Sequence, residues 1–183
     1  MKTHDVINQV PSLYDYNAFT PDIALQEAIA REGAGWAADE LQVFGAQAGA
    51  AEWQEHARLA NENKPVLRAF DACGERVNQV EFHPSYHALM TQSMAHQLHC
   101  RPWVEDRPGT LVARLAKGYL WGQVEAGHGC PITMTFASVP ALRHAPAVAD
   151  IWVPRVTGTR YDPSDRPPEQ KTACTMGMAM TEK

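Results

Sequence analysis

The sequence Pro108-Gly109-Thr110-Leu111-Val112-Ala113-Arg114-Leu115-Ala116-Lys117-Gly118-Tyr119-Leu120-Trp121-Gly122-Gln123-Val124 decides the fold class of this chain. Its first three residues predict the start of a helix. Apolar residues then recur at near-helical spacing, with others beside them. The recurring positions are Leu111, Leu115, Tyr119 and Gly122, flanked by Val112, Leu120 and Val124. A helix that is apolar over much of its circumference is typical of the centre of a bundle, so we expect a mainly α fold.

The segments on either side of this helix predict further helices and one β-hairpin. Thr20-Pro21-Asp22 is a good helix start, because a hydroxyl cap, a first-turn proline and an early acid occur together. Two apolar runs surround the turn Asp71-Ala72-Cys73-Gly74 and predict a hairpin at about residues 66–82. Residues 1–19 are expected to form an irregular arm. Helices are expected at about residues 20–31, 36–48, 51–61, 83–101, 130–142 and 148–152.

The composition changes after the last predicted helix. Residues 154–171 contain Pro163, Pro167 and Pro168 among several charges, which predicts a linker. Residues 172–183 have the pattern of a strand, and no turn follows them. We therefore expect a helical domain at 1–153, a linker at 154–171 and the start of a truncated β domain at 172–183.

The terminal segment alternates between bulky and small side chains. One set faces one way and the other set faces the opposite way, because successive side chains of a strand alternate. The bulky set is Cys174, Met176, Met178 and Met180, and the small set is Thr175, Gly177, Ala179 and Thr181. The pattern leaves two interpretations open: a strand packed tightly against a helix, or a surface for a planar cofactor with the Thr181 hydroxyl as a hydrogen-bonding group.

Composition excludes several classes of protein. The net charge of −5 shows no basic footprint for nucleic acid. The first residues resemble no signal peptide, and no stretch approaches the ~18 apolar residues of a membrane span, so a cytoplasmic location is expected. Four scattered cysteines without a C-x-x-C pair predict buried reduced thiols rather than disulfides.

Candidate catalytic and metal-binding groups have weak support in the sequence. His83 and His87 are four residues apart and His96 and His99 three apart, but no zinc motif surrounds them, so we expect no metal site. Gly127-His128-Gly129-Cys130-Pro131 is compatible with a catalytic thiol or with a simple helix break. Glu40 and Glu125 stand apart from other acids. The residues alone therefore predict no catalytic constellation.

Several segments together resemble one family. Met178-Ala179-Met180-Thr181-Glu182-Lys183 resembles the start of the flavin-binding signature of acyl-CoA dehydrogenases, in the form found in the AidB-type branch linked to the adaptive response to alkylation. Five upstream segments also resemble this branch: Arg31-Glu32-Gly33-Ala34-Gly35-Trp36, Phe82-His83-Pro84, Gln123-Val124-Glu125-Ala126-Gly127, Cys130-Pro131-Ile132-Thr133-Met134-Thr135-Phe136-Ala137 and Arg160-Tyr161-Asp162. The resemblance covers essentially the whole chain in order.

The resemblance implies a larger flavoprotein with an N-terminal helical domain, a middle β domain and a C-terminal four-helix domain, usually tetrameric. FAD would lie between the last two domains, and the helix from Cys130 to Ala137 would line the acyl side of the flavin. The cofactor-binding residues would be Met178, Ala179, Met180, Thr181, Glu182 and Lys183, of which Met178 to Thr181 would contact the isoalloxazine edge. The family's catalytic carboxylate and its basic DNA-contacting surface belong to the C-terminal region, so no catalytic residue is expected here.

Two functions follow as hypotheses. The first is the N-terminal part of an FAD-dependent acyl-CoA dehydrogenase of the AidB type, an oxidoreductase acting on CH–CH groups of an acyl thioester and not competent alone. The second is a stand-alone helical interaction module that completes a separately encoded remainder.

Overall fold

A computed structural model describes residues 3–179 of the 183-residue chain. The described part contains eight α-helices and one two-stranded antiparallel sheet, which confirms the mainly α fold class with a single hairpin. The elements are α1 (Ile23–Arg31), α2 (Ala38–Ala48), α3 (Ala51–Glu62), β1 (Val66–Phe70), β2 (Arg76–Glu81), α4 (Pro84–Ala95), α5 (Arg101–Val104), α6 (Thr110–Gly122), α7 (Gly129–Leu142) and α8 (Pro146–Val156).

Local capping explains where two of these helices begin. The Asp22 carboxylate accepts a hydrogen bond from the backbone N–H of Leu25 at 2.9 Å, so Asp22 caps α1. The prediction of a hydroxyl cap at Thr20 with Pro21 in the first turn is wrong, because Asp22 takes the capping role and the helix begins at Ile23. His83 Nδ1 accepts from the N–H of Ser85 at 3.1 Å, and Pro84 occupies the first position of α4. The capping side chain satisfies a backbone N–H that would otherwise lack a partner, and a proline at the first position has no N–H to satisfy.

Helix α6 lies at the centre of the bundle, as predicted, and contacts α1, α2 and α5. Its Trp121 ring packs between Phe44 of α2 and Trp53 of α3, with centroid distances of 5.3 and 5.2 Å. The fully enclosed side chains around it include Leu41, Phe44, Leu89, Met90, Met94 and Leu120.

The buried face of α6 is not the stripe expected from the sequence. Leu111, Leu115 and Tyr119 are 49%, 52% and 55% exposed, whereas the opposite face is buried. That face carries Ala113, Ala116, Lys117, Leu120 and Trp121. Small alanines allow neighbouring helices to approach closely, and the ammonium of Lys117 reaches the Glu40 carboxylate, so burial of this face leaves the large apolar residues outside.

The hairpin forms at the predicted place and projects from the bundle. Its register pairs Val66 with Glu81 and Phe70 with Arg76. The Asp71 carboxylate closes the turn by accepting from the N–H groups of Cys73 and Glu75 at 2.8 and 2.9 Å. Every hairpin residue except one is exposed.

Three further expectations need correction. The single helix expected at 83–101 is two helices, because Gln97 adopts a left-handed conformation (φ 60°) that interrupts the helical hydrogen bonds. Cys73 and Cys130 are exposed, so the expectation of buried thiols is wrong for them and confirmed for Cys100 and Cys174. Residues 172–179 pair with no other strand in the described part of the chain. Helix α8 reaches Val156, and the domain boundaries remain a prediction.

No helix between residues 3 and 179 has the length and apolarity needed to cross a membrane.

Candidate functional site

Two of the six candidate cofactor-contact residues, Met178 and Ala179, lie in the segment 173–179, which we call the terminal strip. The N–H of Cys174 donates to the carbonyl of Arg155 in α8 at 3.0 Å. The N–H of Met176 donates to Oγ1 of Thr135 in α7 at 2.9 Å. Ala173 and Cys174 are buried. The strip is therefore fixed to α7 and α8 at its first half.

Thr135 is oriented to hold the strip. Its hydroxyl donates to the carbonyl of Pro131 at 2.7 Å, one turn earlier in α7, so its oxygen is left to accept from Met176. The side chain is completely enclosed. Thr135 belongs to the segment that the family resemblance places on the acyl side of a flavin.

Gly158 allows the strip to approach the end of α8. A Cβ built on Gly158 would lie 3.0 Å from the Cβ of Ala173 and 3.0 Å from the carbonyl oxygen of Thr172, which is tighter than ordinary packing. The Gly158 carbonyl in turn bonds to Nε2 of the enclosed His99 at 3.0 Å. Burial lowers the pKa of His99 to about 4, so the ring is neutral and Nε2–H donates to that carbonyl.

The alternation predicted for the strip holds over its first half. Cys174 is buried and Met176 half-buried, whereas Thr175 and Gly177 are exposed. A Cβ on Gly177 would meet no atom within 4 Å. Met178 and Ala179 are both exposed, so the alternation ends at Met178. The small face therefore borders open space. The predicted contacts of Met180, Thr181, Glu182 and Lys183 lie outside the described residues.

The segment before the strip, predicted as a linker, is folded onto itself. The Asp162 carboxylate accepts from the hydroxyl and N–H of Ser164 at 2.6 and 3.0 Å and from the N–H of Thr172 at 3.3 Å. The bond from the Ser164 hydroxyl is the main cause that lowers the pKa of Asp162 to about 2. Lys171 Nζ also donates to the Ser164 carbonyl at 2.8 Å. These bonds close a loop, and the strip that follows this loop contacts α7.

A groove of about 780 Å³ lies between β2, α4 and residues 161–175, and it reaches the strip at Ala173–Thr175. One wall is aromatic: Phe82 and Tyr86 are stacked with ring centroids 4.4 Å apart. The Tyr161 hydroxyl and His87 Nδ1 form a hydrogen bond of 2.9 Å across it. The groove offers flat apolar surface beside polar groups.

The histidines considered as metal ligands have separate structural roles. His83 caps α4, His87 bonds to Tyr161, and His99 bonds to Gly158. His96 packs against the Phe44 ring at 4.4 Å. Among residues 3–179 no three His, Cys, Asp or Glu side chains converge in a way that could hold a metal ion.

The His128–Cys130 pair does not form a thiol site. Both ring nitrogens of His128 are already engaged, Nδ1 with Glu125 Oε2 at 2.7 Å and Nε2 with Ser93 Oγ at 3.0 Å. Cys130 is exposed, and His128 cannot act as a base for its thiol because both ring nitrogens are engaged elsewhere. The helix-break interpretation therefore agrees with the structure.

The two isolated acids are the centres of polar networks that the sequence did not reveal: Glu125 is buried, and Glu40 is partly exposed but pairs with two buried cations. Glu40 accepts from Lys117 and from Arg101 Nη1 at 2.7 Å. Burial raises the pKa of Glu40, but the hydrogen bonds from Lys117 and Arg101 outweigh it and the net direction is down. A lysine within an apolar helix was the available signal, because a buried ammonium requires an anionic partner.

Comparison with known proteins identifies the relatives of this architecture. Residues 8–163 match the model of the adaptive response protein AidB N-terminal domain. The protein named acyl-CoA dehydrogenase AidB of Escherichia coli (strain K12) is 46% identical over 184 residues, which cover 100% of this chain and 34% of the relative. The chain thus spans about a third of the length of the curated relative it matches.

Two solved structures share the fold. Caenorhabditis elegans ACDH-11, in complex with C11-CoA, has a TM-score of 0.77 at 22% identity, covering 100% of this chain and 31% of that one. The Bd2924 apo-form has a TM-score of 0.74 at 22% identity, covering 90% of this chain and 32% of that one. At this identity the two structures support the fold alone.

Proposed function

Because the chain belongs to the AidB N-terminal domain family, we propose that it forms the helical domain of an FAD-dependent acyl-CoA dehydrogenase-like flavoprotein. Such a protein is an oxidoreductase acting on CH–CH groups of an acyl thioester. The proposed cofactor contacts of this domain are Met178, Ala179, Met180, Thr181, Glu182 and Lys183. Bound FAD would supply the hydride-accepting chemistry.

The anchoring of the terminal strip is the observation that carries this proposal. Hydrogen bonds to Arg155 and Thr135 hold the first half of the strip, while Gly177 borders open space on its small face. A planar ring can approach a backbone closely only where no side chain intervenes. The described residues therefore fit a cofactor edge, with the protein supplying position and exclusion of water.

The described part of the strip, residues 173–179, carries no acidic or basic side chain, and this domain supplies only part of the proposed flavin site. We expect residues 1–183 in isolation to bind FAD weakly or not at all and to show no dehydrogenase activity. Tetramer formation and binding of an acyl-CoA-like substrate are proposed for the larger protein. With a net charge of −5, this domain is not proposed to bind DNA.

A chimera tests the proposal. This chain replaces the matching segment of Escherichia coli AidB, and flavin absorbance is measured per chain beside the isolated domain. We expect the chimera to retain FAD in near-stoichiometric amount and the isolated domain to remain colourless. A folded chimera without flavin, or an isolated domain that binds FAD stoichiometrically, would refute the proposal. Circular dichroism establishes folding in each case.

One observation also favours the second hypothesis, an interaction module. Leu111, Leu115 and Tyr119 are exposed and form an apolar stripe along α6. A contiguous exposed apolar patch indicates a binding surface more strongly than single exposed apolar residues do. Light scattering of the isolated domain separates the cases: concentration-dependent association that Leu115→Glu abolishes would support a module, and a clean monomer would count against it.

A further inference from the structure

The first residues of the chain form an exposed apolar segment, residues 3–14, which we call the N-terminal arm. Every residue of this segment is exposed. Among residues 3–179, no hydrogen bond joins the N-terminal arm to the rest of the chain. Its five large apolar side chains are 53–92% exposed: Val6, Ile7, Val10, Leu13 and Tyr14. The N-terminal arm therefore offers both apolar surface and free backbone groups to a partner.

The hairpin presents a second exposed apolar surface. Its five large apolar side chains are 46–63% exposed: Val66, Leu67, Phe70, Val77 and Val80. Its sheet has two strands, so within the described part of the chain no further strand pairs with either outer edge. A two-stranded hairpin is marginally stable in water and gains stability from a third strand. An unpaired edge is also the template to which an extended segment adds.

The outer edge of β1 is the more regular of the two. The register shifts between Arg68 and Phe70, where β2 contributes one residue more than β1. Asn78 of β2 adopts a left-handed conformation with φ 48°. A bulge bends the strand that carries it. A further strand can therefore pair with β1 over its full length, but not with β2.

The N-terminal arm and β1 carry the same pattern of apolar residues. In both segments these residues occupy positions i, i+1 and i+4: Val6, Ile7 and Val10 in the arm, and Val66, Leu67 and Phe70 in β1. Residues i and i+4 of a strand face one side of a sheet, and residue i+1 faces the other. With Asn8 opposite Arg68, the apolar residues at i and i+4 meet on one face in either strand direction. Pro11 lies beyond this stretch, and its missing N–H is tolerated in an outermost strand.

The hairpin of the same chain is an unfavourable partner for the arm. The root of the arm is fixed at the start of α3, where the N–H of Ala51 donates to Asp15 Oδ1 at 3.0 Å. The hairpin follows the other end of α3, at Glu62. Between them the exposed side of α3 carries an ion-paired row in which Arg58 bonds to Glu55 and Glu62. An apolar arm lying along this row would desolvate charges without gaining apolar contacts. A second copy offers its hairpin without that path.

The exposed area is sufficient for a dimer. A buried side chain of this kind removes on the order of 100 Å² of apolar surface from water. The large apolar side chains of the arm and hairpin are on average about six-tenths exposed. Two copies therefore offer each other roughly 1,200 Å² of side-chain surface, and stable protein interfaces bury about 1,200–2,000 Å².

We propose that two copies of this chain exchange N-terminal arms, each arm adding as a third strand to the outer edge of β1 in the other copy. A two-fold axis makes the two contacts identical. Backbone hydrogen bonds supply affinity, and the matched apolar pattern sets the register. The contact uses neither the terminal strip nor the α6 stripe, so it is separate from both surfaces discussed under the proposed function.

Sedimentation equilibrium of the 183-residue chain tests the exchange. We expect a concentration-dependent dimer with twice the 20.2 kDa mass of one chain. The double variant Val6→Asp, Ile7→Asp should be a monomer and should fold normally, which circular dichroism verifies, because these side chains are exposed in the single copy. Leu115→Glu, the matched change on the α6 stripe, should remain a dimer. A monomeric native chain, a dimer that survives the double variant, or a dimer that Leu115→Glu dissolves would overturn the proposal.

Cross-linking between two differently tagged chains identifies the contact. Both chains carry Cys130→Ser, and Cys100 and Cys174 are buried. One chain keeps the exposed Cys73 of the hairpin turn, and the other carries Cys73→Ser with a new thiol on the arm. With the register above, antiparallel pairing brings Thr3→Cys to that turn, and parallel pairing brings Ser12→Cys there.

We expect one of the two arm thiols to cross-link to the Cys73 of the other chain. The exposed His144→Cys measures cross-linking by random collision. Cross-linking of neither arm thiol above that level would contradict the exchange. A single chain with both thiols that links only to itself would also contradict it, because the arm would then occupy its own hairpin.

Discussion

The enclosed ring of His99 makes the stability of the domain depend on pH. Its Nε2 bonds to the Gly158 carbonyl, and its buried Nδ1 has no hydrogen-bond partner among residues 3–179. Protonation would place a second N–H and a positive charge in this enclosed site. The described residues offer that N–H no acceptor and the charge no anionic partner. The pKa of His99 therefore falls from 6.5 to about 4 on folding, with burial as the main cause.

The size of the effect follows from that difference. The unfolded chain binds a proton at higher pH than the folded one, so stability is complete above pH 6.5 and is lost as the pH falls towards 4. One pKa unit corresponds to about 1.36 kcal/mol. Through this residue, lowering the pH to ~5 should reduce the free energy of unfolding by about 2 kcal/mol, and lowering it to 4 should reduce it by roughly 3 kcal/mol.

Urea unfolding at pH 7.5 and at pH 5 measures the effect. We compare the native chain with His99→Gln, because glutamine can keep a donor to Gly158 but cannot titrate. The exposed His144→Gln serves as the control. We expect the native chain to lose about 2 kcal/mol more than His99→Gln between the two pH values. Equal losses in both proteins would refute the reasoning.

Two further predictions concern packing. Thr135→Val removes the acceptor for the Met176 N–H and should cost about 1–2 kcal/mol; the Met176 amide should exchange faster with solvent, whereas Thr133→Val on the exposed side of α7 should leave it unchanged. Gly118→Ala should stabilise the chain by roughly 0.5–1 kcal/mol in a melting experiment, since glycine is unfavourable inside a helix. Gly45→Ala should destabilise it, because its Cβ would lie 2.6 Å from Phe19 Cβ; equal melting shifts for the two glycines would contradict this.

Sequence reasoning located most elements because their signals are local. The caps at Asp22 and His83-Pro84 lie within a few residues of the helices they begin, and the hairpin turn is closed by Asp71 itself. The break at Gln97 had no such signal, because neither glycine nor proline marks it. The residues that follow the break, Leu98 and Cys100, are buried, and contacts with distant residues leave no local signal in the sequence.

The orientation of α6 illustrates a different limit. Both of its faces carry apolar residues, so periodicity could not decide which one is buried. The decision depends on Lys117 meeting Glu40, a contact between residues far apart in the chain. The same holds for the terminal strip: the alternation of Cys174 and Met176 was visible, but Thr135 and Arg155, which anchor it, were not. Only family resemblance connected the strip with a flavin.

Flavin occupancy of the chimera with Escherichia coli AidB, measured with and without Gly177→Val, tests the central proposal most directly. Gly177 borders open space, so valine there should not disturb the domain itself. If the strip forms the edge of a flavin site, the valine variant should lose most of its bound FAD, while Gly118→Ala keeps it. Full occupancy in a folded Gly177→Val chimera would contradict the proposal.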